Sequence, residues 1–179
     1  MYSMEFKKVI TAILLELDKH NIPYALIGAV AMGFWGVQRD TVDVDILIKE
    51  RDREKVISLM KSFGYDHIVS SKFADQFAHI LKDMGLIDFL YARREKGIIE
   101  SSKTFRGGGI EIQVALPEDL IGMKLDGISN DPDRELQDLA DIKAIVELLC
   151  DTLDWEKIKE YCKITGMEGM YGKILGFKR

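Results

Sequence analysis

Apolar positions at Phe6, Val9, Ile10, Ile13, Leu14 and Leu17 recur at three- and four-residue steps, which predicts an amphipathic helix over residues 5–20. Pro23 closes the connection, and residues 24–27 form a short apolar strand running into Gly28. Residues 30–35 suit a short helix whose end is loosened by Gly33 and Gly36. A strand follows over residues 42–48, then a helix over 51–63 closed by Gly64, then a strand over 65–69. Residues 77–81 and 86–91 read as two strands joined by a turn at Asp83, Met84 and Gly85. Residues 93–101 read as a weak helix or a loop. Gly107, Gly108 and Gly109 then turn the chain into a strand over residues 110–115.

After Pro117 the period changes to helical. A helix over residues 118–128 starts with proline in its first turn and acids near its positive end. Asp131 and Pro132 cap the next, which runs to about Cys150. A third spans 154–165 and stops at Gly166, and a short last helix covers 168–175. No internal repeat or low-complexity linker interrupts this order. The fold class is α+β: a mixed β-sheet flanked by helices, with a C-terminal helical part. At 179 residues a single domain over 1–179 is the simplest division, with a mixed-sheet core in 1–116 and helices in 117–179.

Composition narrows the function classes only slightly. Hydrophobic residues at 47% and charged residues at 31% are ordinary for a globular protein. A net charge of −5 argues against a broad basic surface for duplex nucleic acid. No apolar run approaches the ~18 residues of a membrane span, and the charged start lacks the form of a secretory leader. Cys150 and Cys162 stand alone in helical segments, which predicts reduced thiols in a cytoplasmic protein.

The chemistry-bearing positions change the picture more. Asp43 and Asp45 interrupt the strand Val-Asp-Val-Asp-Ile-Leu-Ile, and burying two carboxylates there is costly unless something neutralises them. Residues i and i+2 of a strand share a face, roughly 7 Å apart at Cα. The two acids can therefore converge on hard cations. Asp88 repeats the pattern inside Leu-Ile-Asp-Phe-Leu, although an acid on an exposed edge strand would explain it equally well alone. Three such carboxylates suit two divalent ions roughly 4 Å apart, as phosphoryl transfer requires. Oxygen ligands favour Mg²⁺, with Mn²⁺ as a substitute.

Other positions are less specific. The Gly28–Ala29 turn lies where backbone N–H groups can face a phosphate, yet glycine after a strand is as often only a turn. No Gly-Lys-Ser/Thr follows, and Gly28, Gly33 and Gly36 have the wrong spacing for a Rossmann fingerprint. Lys124 falls inside the apolar arc of its helix, and Asp138 inside that of the next, with Arg134 and Asp141 at its margin. An internal salt bridge, Lys124 or Arg134 with Asp138, accounts for them. The alternative is that Lys124 meets a triphosphate while Asp138 orients it. Arg39 could also contact phosphate. His20, His67 and His79 share no metal-ligand spacing, and no serine or cysteine stands beside a base.

Taken together, Gly28-Ala29, the run Arg39-Asp40-Thr41-Val42-Asp43-Val44-Asp45 and the later Asp88 resemble the nucleotidyltransferase superfamily shared with DNA polymerase beta. The texture is closest to the small prokaryotic minimal and abortive-infection-toxin types. The resemblance covers about residues 22–149, including the segments 116–125 and 134–141. It implies a nucleotidyltransferase-like sheet and transfer of a nucleoside monophosphate from an NTP, such as ATP, to an acceptor hydroxyl on a small molecule, protein or RNA. By the same resemblance Asp43, Asp45 and Asp88 are catalytic and bind two Mg²⁺ ions. Gly28, Ala29, Arg39, Lys124 and Asp138 would hold the nucleotide. Ala29 departs from the pattern, where the family has Gly or Ser. A protein partner or a second copy of the chain is left open, and so is a non-catalytic nucleotide- or metal-binding module in a toxin–antitoxin pair.

Overall fold

Among the described residues, which are 4–41, 43–79, 85–92, 97–107 and 109–178, seven strands pair into one mixed sheet. The computed structural model divides into two units, residues 1–34 with 39–115 and residues 35–38 with 116–179.

The first unit holds the sheet. Helix α1 (Met4–Lys19) leads into β1 (Tyr24–Ile27), α2 (Gly28–Phe34) and β2 (Asp43–Lys49). A 3-10 turn at Glu50–Asp52 opens α3 (Arg53–Ser62), followed by β3 (Asp66–Ser70), β4 (Ala74–Ala78) and β5 (Leu86–Ala92). Helix α4 (Ile98–Ser101) and the hairpin β6 (Lys103–Gly107) and β7 (Ile110–Val114) complete the unit. The strand order is β3-β4-β5-β2-β1-β7-β6. β2 is central, antiparallel to β1 and parallel to β5. The parallel pair needs a long crossover, which α3 and the β3–β4 hairpin supply.

Side-chain alternation divides the sheet into two chemically different faces. Val44, Ile46 and Ile48 of β2, with Ile87 and Phe89 of β5 and Phe77 of β4, are all at most 1% exposed. Ile13, Leu14 and Leu17 of α1 and Val56 and Met60 of α3 are equally buried. Each such side chain contributes about 1.5–3 kcal/mol relative to leaving it in water. That surplus lets the same strands carry half-buried acids on their other face.

One buried acid lies on the apolar face. Asp75 of β4 is fully buried and opposes Phe89. The Arg53 guanidinium grips it with two hydrogen bonds, 2.8 Å from Nε and 2.7 Å from Nη2. The Tyr91 hydroxyl donates to the same carboxylate, and His67 Nε2 lies 3.0 Å away. This bidentate ion pair ties the first turn of α3 to the sheet.

The second unit is helical: α5 (Pro117–Asn130), a 3-10 turn at Pro132–Arg134, α6 (Glu135–Leu149), α7 (Trp155–Ile164) and α8 (Met170–Leu175). Pro117 starts α5, where its missing N–H costs nothing. Asp154 caps α7 by accepting from Glu156 N and Lys157 N, each at 3.1 Å. Gly122 lies against the Tyr161 ring, where a Cβ would overlap the ring carbons. The Tyr161 hydroxyl and Lys157 Nζ both reach the buried Asp119 Oδ1, each at 2.6 Å. Residues 35–38 belong to this unit, with Gly36 at φ +91° close to Leu148.

Several sequence expectations shift. The strand expected over 77–81 begins at Ala74, because Asp75 and Gln76 read as turn residues until their partners are known. Ile80, Leu81, Asp83 and Met84 of that strand and turn lie outside the described residues, as do Val42, residues 93–96 and Gly108. Strand β6 has no counterpart among the sequence expectations, its polar Lys-Thr-Phe-Arg-Gly pattern offering no apolar face. The helix after β1 starts two residues early, at Gly28. Both cysteines are free. No helix among the described residues is long and apolar enough to cross a membrane.

Candidate active site

Three half-buried carboxylates meet at the centre of the sheet. β2 and β5 pair in parallel with Asp45 directly opposite Asp88, and Asp43 lies two residues before Asp45 on the same face. One carboxylate oxygen from each of Asp43, Asp45 and Asp88 lies within 4.8 Å of the other two. The β period and the parallel register together produce this convergence.

The surroundings of each acid differ. The Thr41 hydroxyl donates to Asp43 Oδ1 and also lies 3.3 Å from its carbonyl oxygen, so the residue before the strand steers the first acid. Asp45 opposes Ile27, the last residue of β1. Gly28 then turns at φ +65°, where a Cβ would overlap Asp45 Oδ2. Glycine here serves both the left-handed backbone and the close approach to the carboxylate.

Asp88 is the least comfortable of the three. Burial pushes its carboxyl up from the ordinary value, a Gln76 hydrogen bond pulls it down, and the Asp43 charge pushes it up again; the net shift is upward. Its Oδ1 is buried without a hydrogen-bond partner among the described residues. A buried, partnerless carboxylate oxygen beside two further carboxylates is the environment a hard divalent cation relieves.

The remaining sequence candidates separate. Gly28 joins the acids, while Ala29, 4% exposed, turns its methyl into the core. Arg39 is exposed. Lys124 and Asp138 stand together in the second unit, with Nζ 3.0 Å from Asp138 Oδ1 and 2.5 Å from Asp141 Oδ2. Arg134 Nε reaches the other Asp138 oxygen at 3.0 Å, and Gln137 Nε2 reaches Asp141 at 3.1 Å. The ion pairs Lys124–Asp138 and Arg134–Asp138 are thus both formed. Asp141, at the margin of the helical arc by sequence, is only 4% exposed.

Thr41 and Gln76 carry no role in the sequence reading. Thr41 is signalled only by its place in the run before Asp43. Gln76 shows itself only once the β4–β5 register sets it opposite Asp88.

The mixed sheet with its flanking helices has the fold of solved nucleotidyltransferases. The solution structure of the antibiotic-resistance factor ANT(2'')-Ia superposes with a TM-score of 0.66 at 16% identity, covering 97% of each chain. Its crystal structure with adenylyl-2''-tobramycin gives 0.66 at 14% identity, over 92% of this chain and 98% of that one. The lincomycin-bound lincosamide antibiotic adenylyltransferase LnuA gives 0.55 at 18% identity, over 79% of this chain and 96% of that one. At these identities the likeness is one of fold. No family model matches the sequence, and no curated protein matches it as a relative.

Proposed function

We propose that this chain is a nucleotidyltransferase that moves a nucleoside monophosphate from an NTP to a hydroxyl of a small molecule. The observation that carries the reading is the convergence of Asp43, Asp45 and Asp88, with the Asp88 Oδ1 buried and without a hydrogen-bond partner among the described residues. In that reaction the acceptor oxygen bonds to the α-phosphorus, the α–β bridging P–O bond breaks, and pyrophosphate leaves. Asp88 takes the hydroxyl proton.

The donor set fits a divalent cation, with Asp43, Asp45 and Asp88 as ligands and Mg²⁺ or Mn²⁺ as the ion. Such ions, when bound, supply charge neutralisation to the triphosphate and to the oxygens being exchanged. The chain itself contributes position. Thr41 aims Asp43, and the Gly28 turn leaves room for Asp45. Backbone groups at Gly28 and Ala29 and the exposed Arg39 are assigned to the phosphates. ATP and small hydroxylated molecules are the first substrates to try. LnuA is described as an adenylyltransferase of a lincosamide, and ANT(2'')-Ia was crystallised with an adenylylated tobramycin.

The test is incubation of the protein with labelled ATP, CTP, GTP or UTP, Mg²⁺ and a panel of hydroxylated acceptors. Transfer with release of pyrophosphate, reduced about 100-fold or more in Asp43→Asn, is the expected result. Nucleotide binding with no transfer to any acceptor would replace this reading by a non-catalytic module acting through a partner, as in a toxin–antitoxin pair.

A further inference from the structure

We infer that Gln76 is a positioning residue that holds the Asp88 carboxyl in the orientation in which it converges with Asp43 and Asp45. The inference rests on the proposed three-carboxylate site and extends it one strand outward.

Register places the residues in a row. Gln76 of β4 lies directly opposite Asp88 of β5, which lies directly opposite Asp45 of β2. All three side chains leave the same face of the sheet, because directly opposed residues on paired strands share a face. That register sets the Gln76 amide beside the Asp88 carboxyl, which it pulls down as a hydrogen-bond donor does, while Asp88 Oδ1 is buried with no hydrogen-bond partner among the described residues. A carboxylate held on one side and bare on the other is restricted in rotation and keeps one oxygen available.

The residue type suits the task. A side-chain amide donates two hydrogen bonds and carries no charge. Lysine or arginine in this position would neutralise Asp88 and compete with a cation for it. A glutamate would add a fourth negative charge to a site where Asp43 already repels Asp88. A methionine would fill the same space without a donor. Partners that orient a metal ligand in this way typically contribute 10–100-fold to metal affinity.

Mn²⁺ titration of the full-length protein, read by the loss of the free-ion EPR signal, tests the inference without an acceptor substrate. Wild type, Gln76→Met and Asp88→Asn are compared, and the melting temperature of each is measured without metal. The expected result is a Kd for Mn²⁺ about 10-fold or more weaker in Gln76→Met, with a metal-free melting temperature close to that of wild type. Asp88→Asn should lose at least as much affinity. Gln76→Met binding Mn²⁺ as wild type does, while Asp88→Asn does not, overturns the role of Gln76 and leaves the three-carboxylate site intact. Wild type and Asp88→Asn binding alike, or neither binding, overturns the site itself and the inference with it. A folded Gln76→Met whose affinity falls only in step with a lower melting temperature marks Gln76 as structural and also overturns the inference.

Discussion

Asp88 carries a cost that its function would explain. Asp88 is shifted upward, so its protonated form is favoured in the folded chain. A carboxyl raised above its unfolded value stabilises at low pH, and that contribution is lost as pH rises from 3.8 through the folded value. Asp88→Asn is therefore expected to raise the metal-free melting temperature at pH 7, while Mn²⁺ no longer stabilises the variant; differential scanning calorimetry with and without Mn²⁺ measures both. Gly28 gives a second prediction at this scale. In Gly28→Ala the new methyl would displace the end of the Asp45 side chain, and the φ of +65° is strained for any L-residue. The strain itself costs about 1–2 kcal/mol, but Mn²⁺ binding should fall by more than stability does. Calorimetric titration against the melting temperature separates the two effects. The sequence displayed the acids clearly, because a charged residue at every second place in an apolar strand violates the pattern around it. Thr41 and Gln76 violate nothing in the sequence, and their roles exist only in the positions of their partners.

At the scale of elements, the pairing of α3 with the sheet rests on a buried charge. Burial alone would raise the Asp75 carboxyl, but hydrogen bonds from Arg53 foremost, then Tyr91, His67 and Ser70, bring it below its ordinary value. The stabilisation is complete above pH 3.8 and is lost as pH falls through the lower folded value. Arg53→Met leaves that carboxylate buried with fewer donors and should destabilise the chain by about 3–5 kcal/mol, measured by urea unfolding at pH 7. The acid limb of the wild-type stability curve should be steeper than that of Asp75→Asn. The sequence hides this connection: Ala-Asp-Gln before Phe77 has the composition of a turn, so the apolar pattern alone starts the strand three residues late. Helical elements were more legible. The 3.6-residue period located α5, α6 and α7 to within one or two residues, and it placed Lys124 and Asp138 inside apolar arcs where the structure buries them. It put Asp141 only at the margin, because an arc drawn from apolar residues has no means of including a carboxylate whose partner comes from another helix.

The whole chain combines two kinds of construction. The sheet unit orders its acids through strand register, and the helical unit holds its own charges in the cluster of Lys124, Arg134, Asp138 and Asp141. Lys124→Met would leave Asp138 with Arg134 and Asp141 with Gln137, so a loss near 3 kcal/mol is expected, at the low end for breaking a buried pair. Tryptophan fluorescence is the measurement that follows it. The chain has two tryptophans, Trp35 and Trp155, and both fall in the helical unit.

The membership of residues 35–38 in that unit has a consequence for how such a chain can change over generations. The polypeptide passes from the sheet unit to the helical one after Phe34, returns at Arg39, and passes over again after Ala115. A single recombination event at the last of these junctions would import a new helical tail without its own version of the short segment containing Trp35, Gly36 and Val37. Leu148 would then be exchanged while Gly36, its close neighbour, stayed behind. Exchange of the helical unit therefore calls for two coordinated splices, and lineages of this architecture should diversify by point substitution within both units far more readily than by shuffling one against the other.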